Sequence, residues 1–561
     1  MRTTIVKKLL SLLGVAAFVL GTANFGHAEG ESKPWVTMSF AGYDKLVADL
    51  ALIGKLGGNP NLGKQLEMMA LMLPQGEGSK GPLALDTKQP WGAVLASDGM
   101  TPHSYAFVPV SDLKPLMEMI KAQTGQEIKV EKGIHEISAQ GKTMYAVQKG
   151  KWAYVAETPE LLTKVAAEPA ALLGDLPKRY DLAIRASIQN LPKEYREQLL
   201  AQIRAGAEVG MQQLPSESED EATARAGMAK QSLEQLTTLV NELDDILLGW
   251  SVDAKAKTTY LDLELKAQTG AKLAAQFAEI KPGKTAFAGL ILPDAAVTAS
   301  SVGTLGDAQV AQMRTGLAEL RTSAAKGLEN QGLTEEETKL AARLFSEAID
   351  VVEKTLETKK TDFGMSLRLE PAAVTFLGGI KIADGAKLDK TFQQLIDEVK
   401  KNEQTADTVK VESSTVGGIH LHAISMPTPD PQLTPLVGDT LEVVVGIAAD
   451  KVLVSVGRDA AATIKKAIGN LKPSDKEVPP LHIAVAITPV AKFIAEMGDD
   501  PRTKATAGMV AALLERAGTQ NHLTVTSQPI AQGVRIRLEL EEGVLKALGA
   551  MSQMLGGVAP Q

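Results

Sequence analysis

His420-Leu421-His422 is the one place in this chain of 561 residues where two imidazoles stand two positions apart. Residues at that spacing on a strand point the same way, so the pair could put both rings on one metal ion. No third ligand is visible nearby. His482, at the start of a predicted strand, could join only if the sheet order brings it close. Earlier in the chain a similar phrase carries one histidine, His135, where this one carries two, so a repeated metal site is not expected. The plainer expectation is strand histidines that face solvent or bond to backbone, which leaves His420 and His422 as metal candidates and no cofactor expected.

Other motifs fall short of their chemistry. Gly58-Asn59-Pro60-Asn61-Leu62-Gly63-Lys64-Gln65 nearly spells a phosphate-binding loop, but Gln65 stands where a Ser or Thr hydroxyl would hold Mg²⁺, and a helix-like run precedes it. Gly141-Lys142-Thr143 and Gly283-Lys284-Thr285 lack the first glycine and read as turns. Gly364-Met365-Ser366-Leu367-Arg368 lacks the second glycine of a strained nucleophile turn, and His135-Glu136 lacks the second histidine of a zinc-protease helix. Paired carboxylates among 67 Asp and Glu could meet only through the fold. No catalytic residue is assigned from sequence.

The elements that would position these residues recur. Trp152 to Ala156 reads as a strand before Thr158-Pro159-Glu160, where Thr158 suits a helix N-cap and Pro159 the first turn. Lys451 to Val456 before Asp459 to Ile468 has the same form, as do Leu182 to Ile188 and Leu481 to Ile487, each followed by a helix start containing proline. Tyr260 to Leu265 and Val534 to Leu540 close the two series, and Gly133-Ile134-His135 matches Gly418-Ile419-His420. A tandem duplication is the reading, with a boundary at Lys281-Pro282-Gly283-Lys284. Ile536, Leu538 and Leu540 alternate with Arg535, Arg537 and Glu539, which suits an antiparallel sheet with one wet face. Apolar residues three or four apart run from Glu219 through Leu233, Leu236 and Leu243 to Leu247, and Thr334 with Glu337 forms a capping box ahead of Leu340 to Leu356. The expected class is α+β: two tandem similar halves, 29–282 and 283–561, each a mainly antiparallel sheet covered by long amphipathic helices.

Ahead of them, residues 1–28 read as a secretory signal peptide. Arg2, Lys7 and Lys8 precede an apolar run from Leu9 to Leu20, and Gly26-His27-Ala28 offers small residues for cleavage before Glu29. The run is too short to span a bilayer as a helix. With no cysteine there is neither a disulfide nor a lipid attachment point, so burial of apolar surface must stabilise the fold. A soluble periplasmic or extracellular destination follows.

The net charge of −8, with few aromatics and no basic cluster, argues against a nucleic-acid partner. Later apolar runs such as Leu441 to Ala449 have strand length, so no transmembrane segment is expected. Met68, Met69 and Met72, and Met117 with Met119, could line an adaptable apolar groove, though core filling is the default.

The order of Trp91 to Val110, Ser111-Asp112-Leu113-Lys114-Pro115-Leu116, Gly133-Ile134-His135 and Trp152-Ala153-Tyr154-Val155 resembles a family of large exported bacterial proteins with a domain of unknown function. The resemblance implies export and the repeated architecture, and brings no activity or site. The expected function is therefore a non-enzymatic binding protein or envelope-associated scaffold. Alternatives are a periplasmic carrier of a lipid-like hydrophobic ligand and a hydrolase of unrecognised type.

Overall fold

The computed structural model describes residues 33–59, 61, 85–97, 102–139, 142–211, 219–329, 335–371, 373–401, 409–431, 433–518 and 520–556. The signal-peptide reading, nearly all of the Gly58 to Gln65 loop, and Met68, Met69 and Met72 lie outside these residues. The chain divides into two compact units, one of Met1–Ala275 with Ile530–Arg535, the other of Gln276–Pro529 with Ile536–Gln561.

In the first unit the strands are β1 (Lys33–Phe40), β2 (Trp91–Ser97), β3 (Pro102–Pro109), β4 (Lys129–Glu131), β5 (Ile134–Ala139), β6 (Lys142–Lys149), β7 (Trp152–Ala156), β8 (Leu182–Ser187), β9 (Leu243–Asp253) and β10 (Thr258–Ala267). They pair in the order β10-β9-β8-β1-β2-β3-β7-β6-β5-β4. Val94, Phe107, Tyr154, Leu162 and Leu173 form one buried cluster, and Leu113, Met117, Ile120 and Ile137 belong to another. Met117 thus fills core. Thr158 does stand at the N-cap of the helix Pro159–Lys164, with Pro159 at its start.

The second unit contains β11 (Val297–Thr304), β12 (Lys360–Glu370), β13 (Ala373–Lys381), β14 (Lys410–Val416), β15 (Ile419–Pro427), β16 (Thr440–Ala448), β17 (Lys451–Gly457), β18 (Leu481–Ala486) and β19 (His522–Ile530), with β20 (Gly533–Leu540) shared across the division. Its ladder runs β19-β18-β11-β12-β13-β17-β16-β15-β14. Phe287, Leu290, Leu377, Leu421, Leu453 and Ile464 anchor its core.

The expected fold class needs correcting. The strands do not close two separate sheets for two tandem halves; among the described residues the twenty strands belong to one antiparallel sheet in a mixed α/β chain. Strand β20 pairs with β10, and Ala267 N donates to Gln532 O at 2.9 Å, both residues lying in the first unit. Phrases that look alike reveal side-chain alternation but not which backbone edge pairs with which. A second correction concerns the helix predicted from Glu219 to Leu247. It ends at Glu242, and Leu243, Ile246 and Leu247 lie in β9 between β8 and β10. Spacing of three or four also fits a strand with one apolar face, and strand pairing decides between them.

Candidate functional site

The hairpin of β14 and β15 turns on Gly417-Gly418, both at positive φ (57° and 77°). A two-residue turn of that kind fixes register, pairing Val416 with Ile419 and hence Ser413 with His422. Along β15, Ile419 and Leu421 point into the core beside Ile464, so His420 and His422 point to the other face. The helix Gly385–Lys401 meets them there.

That helix has an inward stripe of Gly385, Leu388, Phe392 and Ile396, at the spacing of a helix laid on a sheet. Asp389 belongs to the same stripe. Gly385 permits the close approach, because a Cβ there would stand 1.7 Å from Ala448 O. Ion pairs from Lys387 to Asp350 (2.8 Å) and Lys354 to Asp384 (2.7 Å), with a hydrogen bond from Thr391 to Glu347 (2.9 Å), tie this region to the helix Glu335–Glu357.

Asp389 is shared by the two rings. Its Oδ1 lies 3.0 Å from His422 Nε2 and its Oδ2 lies 2.9 Å from His420 Nδ1, and Gln393 Nε2 donates to Oδ2 at 3.1 Å. Burial would raise the carboxyl pKa, but the hydrogen bonds from His422 and His420 outweigh it and hold the group below its ordinary value. An ionised carboxylate only accepts, so His422 donates through Nε2–H. In the neutral ring Nδ1 is then an acceptor, 3.2 Å from Ser413 Oγ. His422 is 3% exposed, and the Phe392 ring lies 5.3 Å away; His420 is 53% exposed.

The arrangement can therefore keep a carboxylate charged, fix an imidazole tautomer and accept a hydroxyl proton. The two imidazole nitrogens are engaged by separate oxygens of one carboxylate. Among the described residues no group of three or more His, Cys, Asp and Glu is arranged to hold a metal ion. His482 stands on β18, with β11, β12, β13, β17 and β16 between it and β15. His135 lies on β5 opposite Ala146, and burial lowers its pKa.

The other sequence candidates are structural. Ser366 is 1% exposed, donating to Leu290 O at 2.6 Å and accepting from Leu292 N at 2.9 Å. Thr285 donates to Asp362 at 2.6 Å. Paired carboxylates do meet in the first unit, at Asp262 and Glu264 on β10. Tyr180 Oη lies 3.0 and 3.1 Å from them, Arg535 Nε is 2.7 Å from Glu264, and Arg179 also pairs with Glu264. These charges are neutralised in place. A cavity of about 380 Å³ lies by Thr355, Thr358, Lys360, Lys381, Ile382 and Ala383.

Sequence reasoning missed Asp389 and Ser413. Both carried a signal: an acid in an otherwise apolar helix stripe, and a serine whose register follows from the Gly-Gly turn. No family model matches the chain, and neither a curated protein nor a solved structure does.

Proposed function

We propose that this is an exported binding protein of the cell envelope that engages a protein partner through its long helices. One observation carries the reading. The helices Asp307–Glu329 and Glu335–Glu357 are paired through Arg321, whose Nη2 lies 2.8 Å from Asp350, yet Met313 (45% exposed), Leu320 (50%) and Val352 (40%) remain on the outside. Met313 and Leu320 are seven positions apart, two turns along one helix face. Exposed apolar side chains beside arginines match the make-up of protein interfaces. Export rests on the leader pattern in residues 1–28. Among the described residues no helix is long and apolar enough to cross a membrane.

Expression of the full chain in a bacterial host tests both parts. N-terminal sequencing of the exported form is expected to begin at Glu29. A photo-crosslinking residue at Leu320 is expected to give a discrete protein adduct that Met313→Glu removes. Retention in the cytoplasm would refute export, and a crosslinker at Leu320 that captures nothing would refute the docking face.

A further inference from the structure

We propose that Ser413, His422 and Asp389 form an acyl-transfer site in which Ser413 is the nucleophile and a carboxylic ester the substrate. The inference stands on geometry and goes beyond the binding role. Ser413 lies on the exposed strand β14, directly opposite the buried His422. The hydroxyl, ring and carboxylate form one chain, 3.2 Å from Ser413 Oγ to Nδ1 and 3.0 Å from Nε2 to Asp389 Oδ1. Nucleophile, base and orienting acid are thus each within hydrogen-bond reach of the next, which is how such sites are recognised on unrelated folds. Serine proteases use the two ring nitrogens in the opposite sense. Either sense moves one proton across the same imidazole.

What surrounds the chain supports the assignment. Asp389 is kept ionised by its imidazole partners, so it can stabilise an imidazolium rather than take its proton. His420, on the second carboxylate oxygen, and Gln393 help fix the carboxylate plane. Phe392 closes against His422 and shields the buried ring from water. Among the described strands β14 pairs only with β15, so alternate N–H groups along it point away from the ladder. Outward amides beside an exposed serine are donors for the oxygen of a tetrahedral adduct.

The steps balance. Ser413 Oγ bonds to the ester carbonyl carbon as its proton passes to His422 Nδ1, and Asp389 holds the resulting imidazolium through Nε2–H. Collapse of the adduct breaks the bond to the alcohol oxygen, which takes the proton from Nδ1 and leaves. Water attacks acyl-Ser413 and gives a proton to Nδ1. That proton returns to Ser413 Oγ as the carboxylic acid departs.

The purified full chain, treated with a fluorophosphonate reagent and separately with p-nitrophenyl acetate, tests this by peptide mass spectrometry. The expected result is an adduct on Ser413 that forms at least about tenfold faster than on its exposed neighbour Ser414, since a positioned base contributes about 10² or more. Ser413→Ala should remove it, and Asp389→Asn should slow it by at least about tenfold. Equal labelling of Ser413 and Ser414 in the unaltered protein would overturn the proposal without any variant. So would labelling of a folded Asp389→Asn protein at the unaltered rate. A hydroxyl that merely caps a structural histidine gives the first of these results.

Discussion

His422 and Asp389 lie 3.0 Å apart, on a buried strand residue and a helix residue separated by 33 positions in sequence. Their contact joins β15 to the helix Gly385–Lys401. Asp389→Asn keeps the shape and removes the charge, so a loss of about 1.5–3 kcal/mol is expected for a hydrogen bond to a charged group. Urea unfolding measures it. The folded pKa of Asp389 is depressed, so its contribution is complete above the unfolded value of about 3.9 and fades as pH falls through the lower folded value. The difference between wild type and Asp389→Asn should therefore hold at neutral pH and shrink below about pH 4.

Gly385 sets how near that helix approaches the sheet. A methyl group there meets the Ala448 carbonyl at 1.7 Å, and a backbone atom cannot swing aside. Gly385→Ala should shift the helix start outward, lower stability by about 1–3 kcal/mol and loosen Asp389 from both rings. Histidine NMR resonances of His420 and His422 should move together, while that of His135 stays in place.

In the first unit, Lys45 pairs with Asp181 and also with Asp49 at 2.9 Å. Burial, with the nearby Asp181 charge, raises Asp49 to about 6 against the pull of Lys45. An acid whose folded pKa exceeds its unfolded value binds more protons when folded. Stability should thus fall as pH rises from about 4 to about 6, and Asp49→Asn should flatten that slope. Thermal unfolding across this range distinguishes the two outcomes.

The helix Glu335–Glu357 is held by its apolar face more than by its charges. Arg321 bonds to Asp350 at 2.8 Å but is 39% exposed, so Arg321→Ala should cost less than about 1 kcal/mol. Leu344 is 6% exposed, and Leu344→Ala should cost about 2–5 kcal/mol. Denaturant midpoints of the two variants give the comparison.

Several elements were legible because the signal was local. Thr158 stands directly ahead of a helix that begins at Pro159, Glu337 occupies a helix first turn, and Leu441 to Ala448 lie in β16. The end of the helix at Glu242 was not legible, because its apolar spacing continues into β9 and only pairing with β8 and β10 makes that stretch extended. The histidine pair was found from spacing alone, but its partners were not. A helix residue 31 positions before His420 leaves no local trace of where it docks.

The sequence by itself determined the alternation of strands, the helix stripes, the absence of disulfides and the same-face placement of His420 and His422, since each follows from backbone period or residue chemistry. Tertiary structure decided that the twenty described strands share one sheet and that Asp389 and Ser413 meet His422. Both are long-range pairings, set by which edges and faces find each other when the chain collapses, and no local period encodes that choice.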